Sequence, residues 1–145
     1  MSLQNWLSNG WLKHHSTSKQ EINNLLNIVE RDLHDAKESI SLDWQFGIAY
    51  NAALKLCAIL LYASGYMAEN TLQHYRTIMA MPIILGASKR LDAEYLNTCR
   101  TKRNTVEYDC AGGVSSQETV ELVNFVSSFK QEVINWLKQN HPEYL

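Results

Sequence analysis

Residues 44–65 read WQFGIAYNAALKLCAILLYASG, from Trp44 to Gly65, with only Gln45, Asn51 and Lys55 strongly polar. A helix that is apolar over most of its circumference belongs at the centre of a fold or beneath a partner. Asp43 is the expected N-cap, because a carboxylate there accepts from the free amides of the first turn. Gly65 suits the left-handed position that follows a helix C-terminus. A central helix of this kind needs others around it, and the flanking sequence supplies them.

On the N-terminal side, Ser18-Lys19-Gln20-Glu21 has the form of a capping box, in which Ser18 accepts from the Glu21 amide and the Glu21 carboxylate reaches back. Ile22, Leu25, Leu26, Val29, Leu33 and Ala36 follow at helical spacing, with Lys19, Glu30, Asp32 and Lys37 left for the wet side. The opening LQNWLSNGWL reads as a short helix broken at Gly10, making residues 1–17 a helical extension. On the C-terminal side, Asn70 or Thr71 caps a helix through LQHYRTIMAMPIILG, which Pro82 kinks or ends and Gly86 stops. Asp92 opens AEYLNTCRTKRNTVEYD, and CAGGV breaks it. Ser115 or Ser116 begins the last helix: Ser115 with Glu118 forms a second capping box, and Leu122, Val126, Phe129, Val133 and Trp136/Leu137 form the stripe. No stretch alternates at period two for long enough to predict a sheet. The fold expected is all-α, an up-and-down antiparallel bundle in one domain spanning 1–145.

Composition limits the function. With 145 residues, 46% hydrophobic and 19% charged, the chain can bury a core. Its net charge of −2 gives no general attraction to a polyanion, so any nucleic-acid contact must come from a local basic patch. Cys57, Cys99 and Cys110 are odd in number and contain no C-x-x-C pair, against a disulfide framework or a zinc ribbon. The opening MSLQNWLSNGWLKHH lacks the charged-then-apolar order of a signal peptide, and no apolar run is read as approaching the ~20 residues of a membrane span. A cytoplasmic setting with no membrane partner is expected. No phosphate loop, G-x-G-x-x-G, H-E-x-x-H or G-x-S-x-G is present. His14 and His15 point about 100° apart on a helix and make a poor metal clamp, so a solvent-exposed pair is expected, with no metal and no cofactor. Met67, Met79 and Met81 are expected to fill core gaps. Trp6, Trp11, Trp44 and Trp136 are expected to anchor the core or a dimer face.

One segment does not serve the core. Asn97 to Thr105, NTCRTKRNT, holds no large aliphatic residue, and in a helix Arg100 and Asn104 are i,i+4 neighbours with Arg103 beside them and Tyr108 a turn further on. Two guanidiniums and an amide on one side suit a phosphodiester, because the planar fork matches paired phosphate oxygens and stays charged. The plainer alternative is an ion network in which Arg100 and Arg103 pair with Glu94, Glu107 or Asp109.

Three blocks in order, AYNAALKLCAILLYASGY from Ala49, HYRTIMAMPIILG from His74, and RTKRNTVEYD from Arg100 followed by an amphipathic helix, resemble the HEPN domains. These are small helical-bundle proteins often encoded beside minimal nucleotidyltransferases. The resemblance runs from about Asp43 to Leu137. It implies a homodimeric bundle with a polar motif facing a cleft, and, in the catalytic members, metal-independent RNA cleavage by an arginine, a polar residue and a histidine. Carried over, Arg103 matches the arginine and Asn104 the polar residue, while the histidine position falls on Tyr108. Tyrosine titrates at about 10 against about 6.5 for histidine, so Tyr108 suits hydrogen bonding or base stacking better than general-base work.

The site so expected comprises Arg103, Asn104 and Tyr108 for chemistry, and Arg100, Lys102, Arg103 and His74 for phosphate or RNA. His74, on another helix, either faces the same cleft or is satisfied in a cap or the core. The functional expectation is a dimeric module that binds RNA, a nucleotide or a nucleotidyltransferase partner, in a toxin–antitoxin or defence setting. The alternatives are an active endoribonuclease toxin and an interaction protein whose basic cluster is purely structural.

Overall fold

The computed structural model describes residues 2–38, 40–108 and 113–145, without the side chains of 105–108. It is an all-α bundle built around one helix. The chain forms α1 (Leu3–Ser8), β1 (Leu12–His14), α2 (Lys19–Asp35), α3 (Leu42–Ala63), β2 (Tyr66–Ala68), α4 (Gln73–Met79), α5 (Met81–Leu85), α6 (Arg90–Tyr108) and α7 (Ser116–Asn140). Short 3-10 turns precede α6, at Ala87–Lys89, and follow α7, at Pro142–Tyr144.

The central helix is α3. It packs against α2, α4, α5, α6, α7 and β2, and Ala49, Tyr50, Ala52, Leu56, Ile59 and Leu60 are fully buried along it. Ala49, Ala52, Ala53 and Ala63 share one face with Leu56 and Leu60, so small and large side chains alternate along it. By length and composition α3 passes as a membrane span, with 22 residues and a window mean hydropathy of 1.6, which corrects the expectation that no run approaches that size. Of that window, 61% is buried inside the bundle. Trp44 stands 66% exposed at its N-terminal end, with Ile40 and Leu42 also exposed nearby.

Stripes on α2 and α7 meet α3 as their spacing predicts: Ile22, Val29 and Leu33 are buried on one side and Leu122, Val126, Phe129, Val133 and Leu137 on the other. Ion pairs hold α7 in place: Lys130 to Glu30 of α2, Lys89 to Glu132, and Lys102 of α6 to Glu118 at 2.8 Å.

The helix starts differ in detail. Ser18 accepts from the Glu21 amide, but the Glu21 carboxylate turns away from the cap to take Thr17 Oγ1 and His15 Nε2, both at 2.7 Å. His15 is thus half-buried against Glu21 and the Tyr62 ring, not solvent-exposed like His14. Ser41, not Asp43, caps α3, because the helix begins two residues earlier and leaves Asp43 inside the first turn. Neither Asn70 nor Thr71 caps α4: Leu72 precedes it in the left-handed conformation, φ 53°, with no side-chain cap. The helix of Arg100 begins at Arg90, two residues before Asp92. The Ser115–Glu118 box closes in both directions.

Residues 2–17 are only partly helical. Leu12–His14 pairs antiparallel with Tyr66–Ala68, matching Leu12 with Ala68 and His14 with Tyr66. Three-residue strands are too short to alternate visibly, so their signal is tertiary: buried Trp6 meets Trp11 edge-on at 5.7 Å over Leu12, Leu61, Ala68 and Ala80.

Candidate anion-binding site

The site begins as an interruption of a core stripe. On α6, Ala93 and Leu96 are fully buried against the bundle. Seven residues make nearly two whole helical turns, so Arg100 repeats the direction of Ala93 and Arg103 that of Leu96 to within about 20°. The stripe that packs the first half of α6 becomes cationic in the second. Both arginines are half-buried and carried toward α3 and α4.

Aromatic rings receive them. The Arg103 guanidinium carbon lies 5.7 Å from the ring centre of Tyr50 on α3, and that of Arg100 lies 5.9 Å from Tyr75 on α4. Both fall within the ~6 Å reach of a cation–π contact. Arg100 is further aimed by its Nε–H, which donates to Asn97 Oδ1 at 2.9 Å one turn back. The rings lie beside the guanidiniums as cation–π partners.

Tyr50 forms the floor. It is fully buried, and among the described residues its hydroxyl has no hydrogen-bond partner. Burial pushes its phenol well above the usual value, against the opposing pull of the Arg100 and Arg103 charges. It stays protonated at working pH and cannot act as a counter-ion to them.

His74 stands on the rim of α4, exposed, and lines with Asn70, Leu72, Gln73, Tyr75 and Arg100 a notch of about 290 Å3. Its imidazole titrates below the ordinary histidine value, first through partial burial and then through the charges of Arg103, Lys55 and Arg100. His74 thus lines the notch with Arg100 and, being exposed, lies outside the core. The notch wall carries backbone strain: a leucine at positive φ costs ~1–2 kcal/mol relative to glycine. Arg76 fixes that loop by donating from a guanidinium nitrogen to the Thr71 carbonyl at 3.3 Å while stacking on Trp11 at 4.5 Å.

The other expected residues divide. Asn104 is half-buried on the arginine side of α6. Lys102 lies on a different face, paired with Glu118 toward α7, where it helps line a separate cavity with Tyr95 and Cys99. Burial pushes the Cys99 thiol up to about 11, too high for a reactive thiolate at neutral pH. The backbone of α6 runs on to Tyr108, whose side chain lies outside the described residues, as do Asp109, Cys110 and the side chain of Glu107. Glu94, one proposed acidic partner, is taken by Arg90 at 3.0 Å. Among the described residues no group of three His, Cys, Asp or Glu side chains is placed to hold a metal.

The sequence alone did not assign Tyr50, Tyr75, Gln73 or Lys55 to this site. Lys55 left a trace there as the one cation inside an otherwise apolar helix. The two tyrosines left none, since an aromatic beside an arginine is visible only once the helices are packed. Comparison with protein-family models, curated proteins and solved structures finds no match to this chain.

Proposed function

We propose that this chain is an HEPN-like helical module that binds the phosphate of an RNA or nucleotide on the Arg100–Arg103 face of α6. The observation that carries the reading is the placement of two arginines on a core stripe, where the first half of the same helix buries alanine and leucine. Guanidiniums held over aromatic rings keep their forks directed, and a planar, always-charged fork suits paired phosphate oxygens. His74 on the facing helix adds a third group able to donate. Binding of a short labelled RNA, compared between the wild-type chain and an Arg100→Ala/Arg103→Ala variant, tests it. Equal affinity in the two would remove the reading.

One observation favours a second reading, metal-independent RNA cleavage. A histidine titrating below its ordinary value is neutral near pH 7, which is the form that takes a proton from a 2′-hydroxyl. In this scheme His74 supplies the proton transfer that the Arg103 segment lacks, and Arg103 stabilises the charge on phosphorus. Incubation of purified protein with labelled RNA in EDTA decides it: cleavage abolished by Arg103→Ala and by His74→Gln supports the nuclease, and intact RNA excludes it.

A further inference from the structure

A second cavity adjoins the arginine notch. It measures about 210 Å3 and has an apolar wall formed by Leu54 and Ala58 of α3 and Met67 of β2, with the Tyr62 ring beside them. Lys55 and Thr77 stand at its polar end. Gln73 and His74 line this cavity and the notch alike, so the two spaces share one wall. Each alone lies at or below the lower end of the ~300–1,000 Å3 usual for small-molecule sites, and joined they fall within that range.

We infer that the two cavities form one bipartite site for a nucleoside monophosphate unit, with the phosphate at Arg100 and the flat base in the apolar compartment. The inference rests on the phosphate-binding reading and specifies its ligand. An inorganic anion would leave the apolar compartment unused, and a purely apolar ligand would leave the guanidinium and the imidazole unused. An anion joined to a planar heterocycle uses both. Gln73 and His74 stand at the junction, where the sugar hydroxyls offer donors and acceptors. Lys55, close enough for its charge to act on His74, adds a cation at the same wall. Tyr62 keeps its phenol proton, because burial, and secondarily the Glu21 carboxylate, raise it, so it can donate to a base edge. The unit is either a free nucleotide or the terminal nucleotide of an RNA, since both present the same chemistry.

The test is calorimetric titration of the full chain with adenosine 5′-monophosphate, ribose 5-phosphate and a 5′-phosphorylated tetraribonucleotide at one fixed salt concentration. In the wild-type chain the adenine compound is expected to bind at least tenfold tighter than ribose 5-phosphate. Ala58→Phe, which fills the apolar compartment, should reduce the adenine compound to the affinity of ribose 5-phosphate while leaving the latter unchanged. Ala58→Leu, a smaller intrusion, should give an intermediate loss and serves if the larger ring disturbs folding. Equal affinities for the two small ligands in the wild-type chain overturn the inference, and so does an adenine advantage that survives both substitutions. If neither phosphate compound nor the tetranucleotide binds, the phosphate-binding reading falls as well. A tetranucleotide bound at least as tightly as the mononucleotide identifies an RNA end, and a weaker one identifies the free nucleotide.

Discussion

The Arg103 guanidinium carbon lies 5.7 Å from the centre of the Tyr50 ring, a charge resting on a fully buried phenol. A cation at a core-stripe position does not add to packing as a leucine would, and it lies over an aromatic ring, whereas Lys102 is paired with Glu118. Two kinds of cation thus share α6: Lys102 pairs with Glu118 toward α7, and the arginines lie over rings of α3 and α4, the face proposed to bind phosphate.

That separation is measurable. Lys102→Ala is expected to cost under about 1 kcal/mol, the usual value of a partly exposed ion pair, and to leave phosphate binding unchanged. Arg100→Ala or Arg103→Ala should each weaken phosphate binding by roughly ten- to a hundredfold, since a hydrogen bond to a charged group contributes ~1.5–3 kcal/mol. Thermal melts run beside the titrations check that the losses are not losses of folding.

Tyr50→Phe should leave stability within about 1 kcal/mol of wild type, because a buried hydroxyl without a described partner loses little when removed. Tyr50→Ala empties a fully buried site and should cost ~3–5 kcal/mol, as other large aromatic truncations do. Chemical denaturation of the pair distinguishes a packing floor from a polar network: an equal cost in both variants would show that the hydroxyl matters.

His74 should report ligand directly. Its folded value lies below that of a free histidine, so the folded state resists protonation, and stability present above about pH 6.5 is reduced as pH falls below it. A bound phosphate supplies the opposite charge and should move the His74 titration upward. Proton NMR of the ring with and without phosphate measures the shift, and His74→Gln should remove the gain in affinity expected as pH is lowered toward 6.

The N-terminal segment gives an independent check. Burial alone would raise Glu21, but hydrogen bonds from Thr17 and His15 and the His15 charge outweigh it and hold its carboxyl low. That contribution is present above the unfolded carboxylate value of about 4.3 and is lost as pH falls through the lower folded one. Glu21→Gln should accelerate amide exchange at His15, whose N–H donates to Gly65, while exchange in α7 stays unchanged.

The helices were legible because their signals are local. Apolar spacing in 22–33 and 122–137, and the Ser115–Glu118 box, each specify structure within a few residues. What failed were choices between near-equivalent local options: Ser41 and Asp43 compete for one cap, and Glu21 left its own cap for Thr17 and His15. The β1–β2 pairing joins residues more than fifty apart, and no short window contains it. The site was half legible. Arg100, Arg103 and Asn104 share a face by helical spacing alone, whereas Tyr50, Tyr75 and the joining of His74 to the cluster depend on how α3, α4 and α6 pack.

The central claim is that Arg100 and Arg103 hold phosphate. Its most direct test is the salt dependence of binding a short single-stranded RNA by the wild-type chain and by Arg100→Ala/Arg103→Ala, with both melting at the same temperature. Each phosphate contact contributes roughly 0.7 to the log–log salt slope, so the double variant should lose about 1.4 of slope together with at least a hundredfold in affinity. An unchanged slope and affinity in a folded double variant would contradict the account.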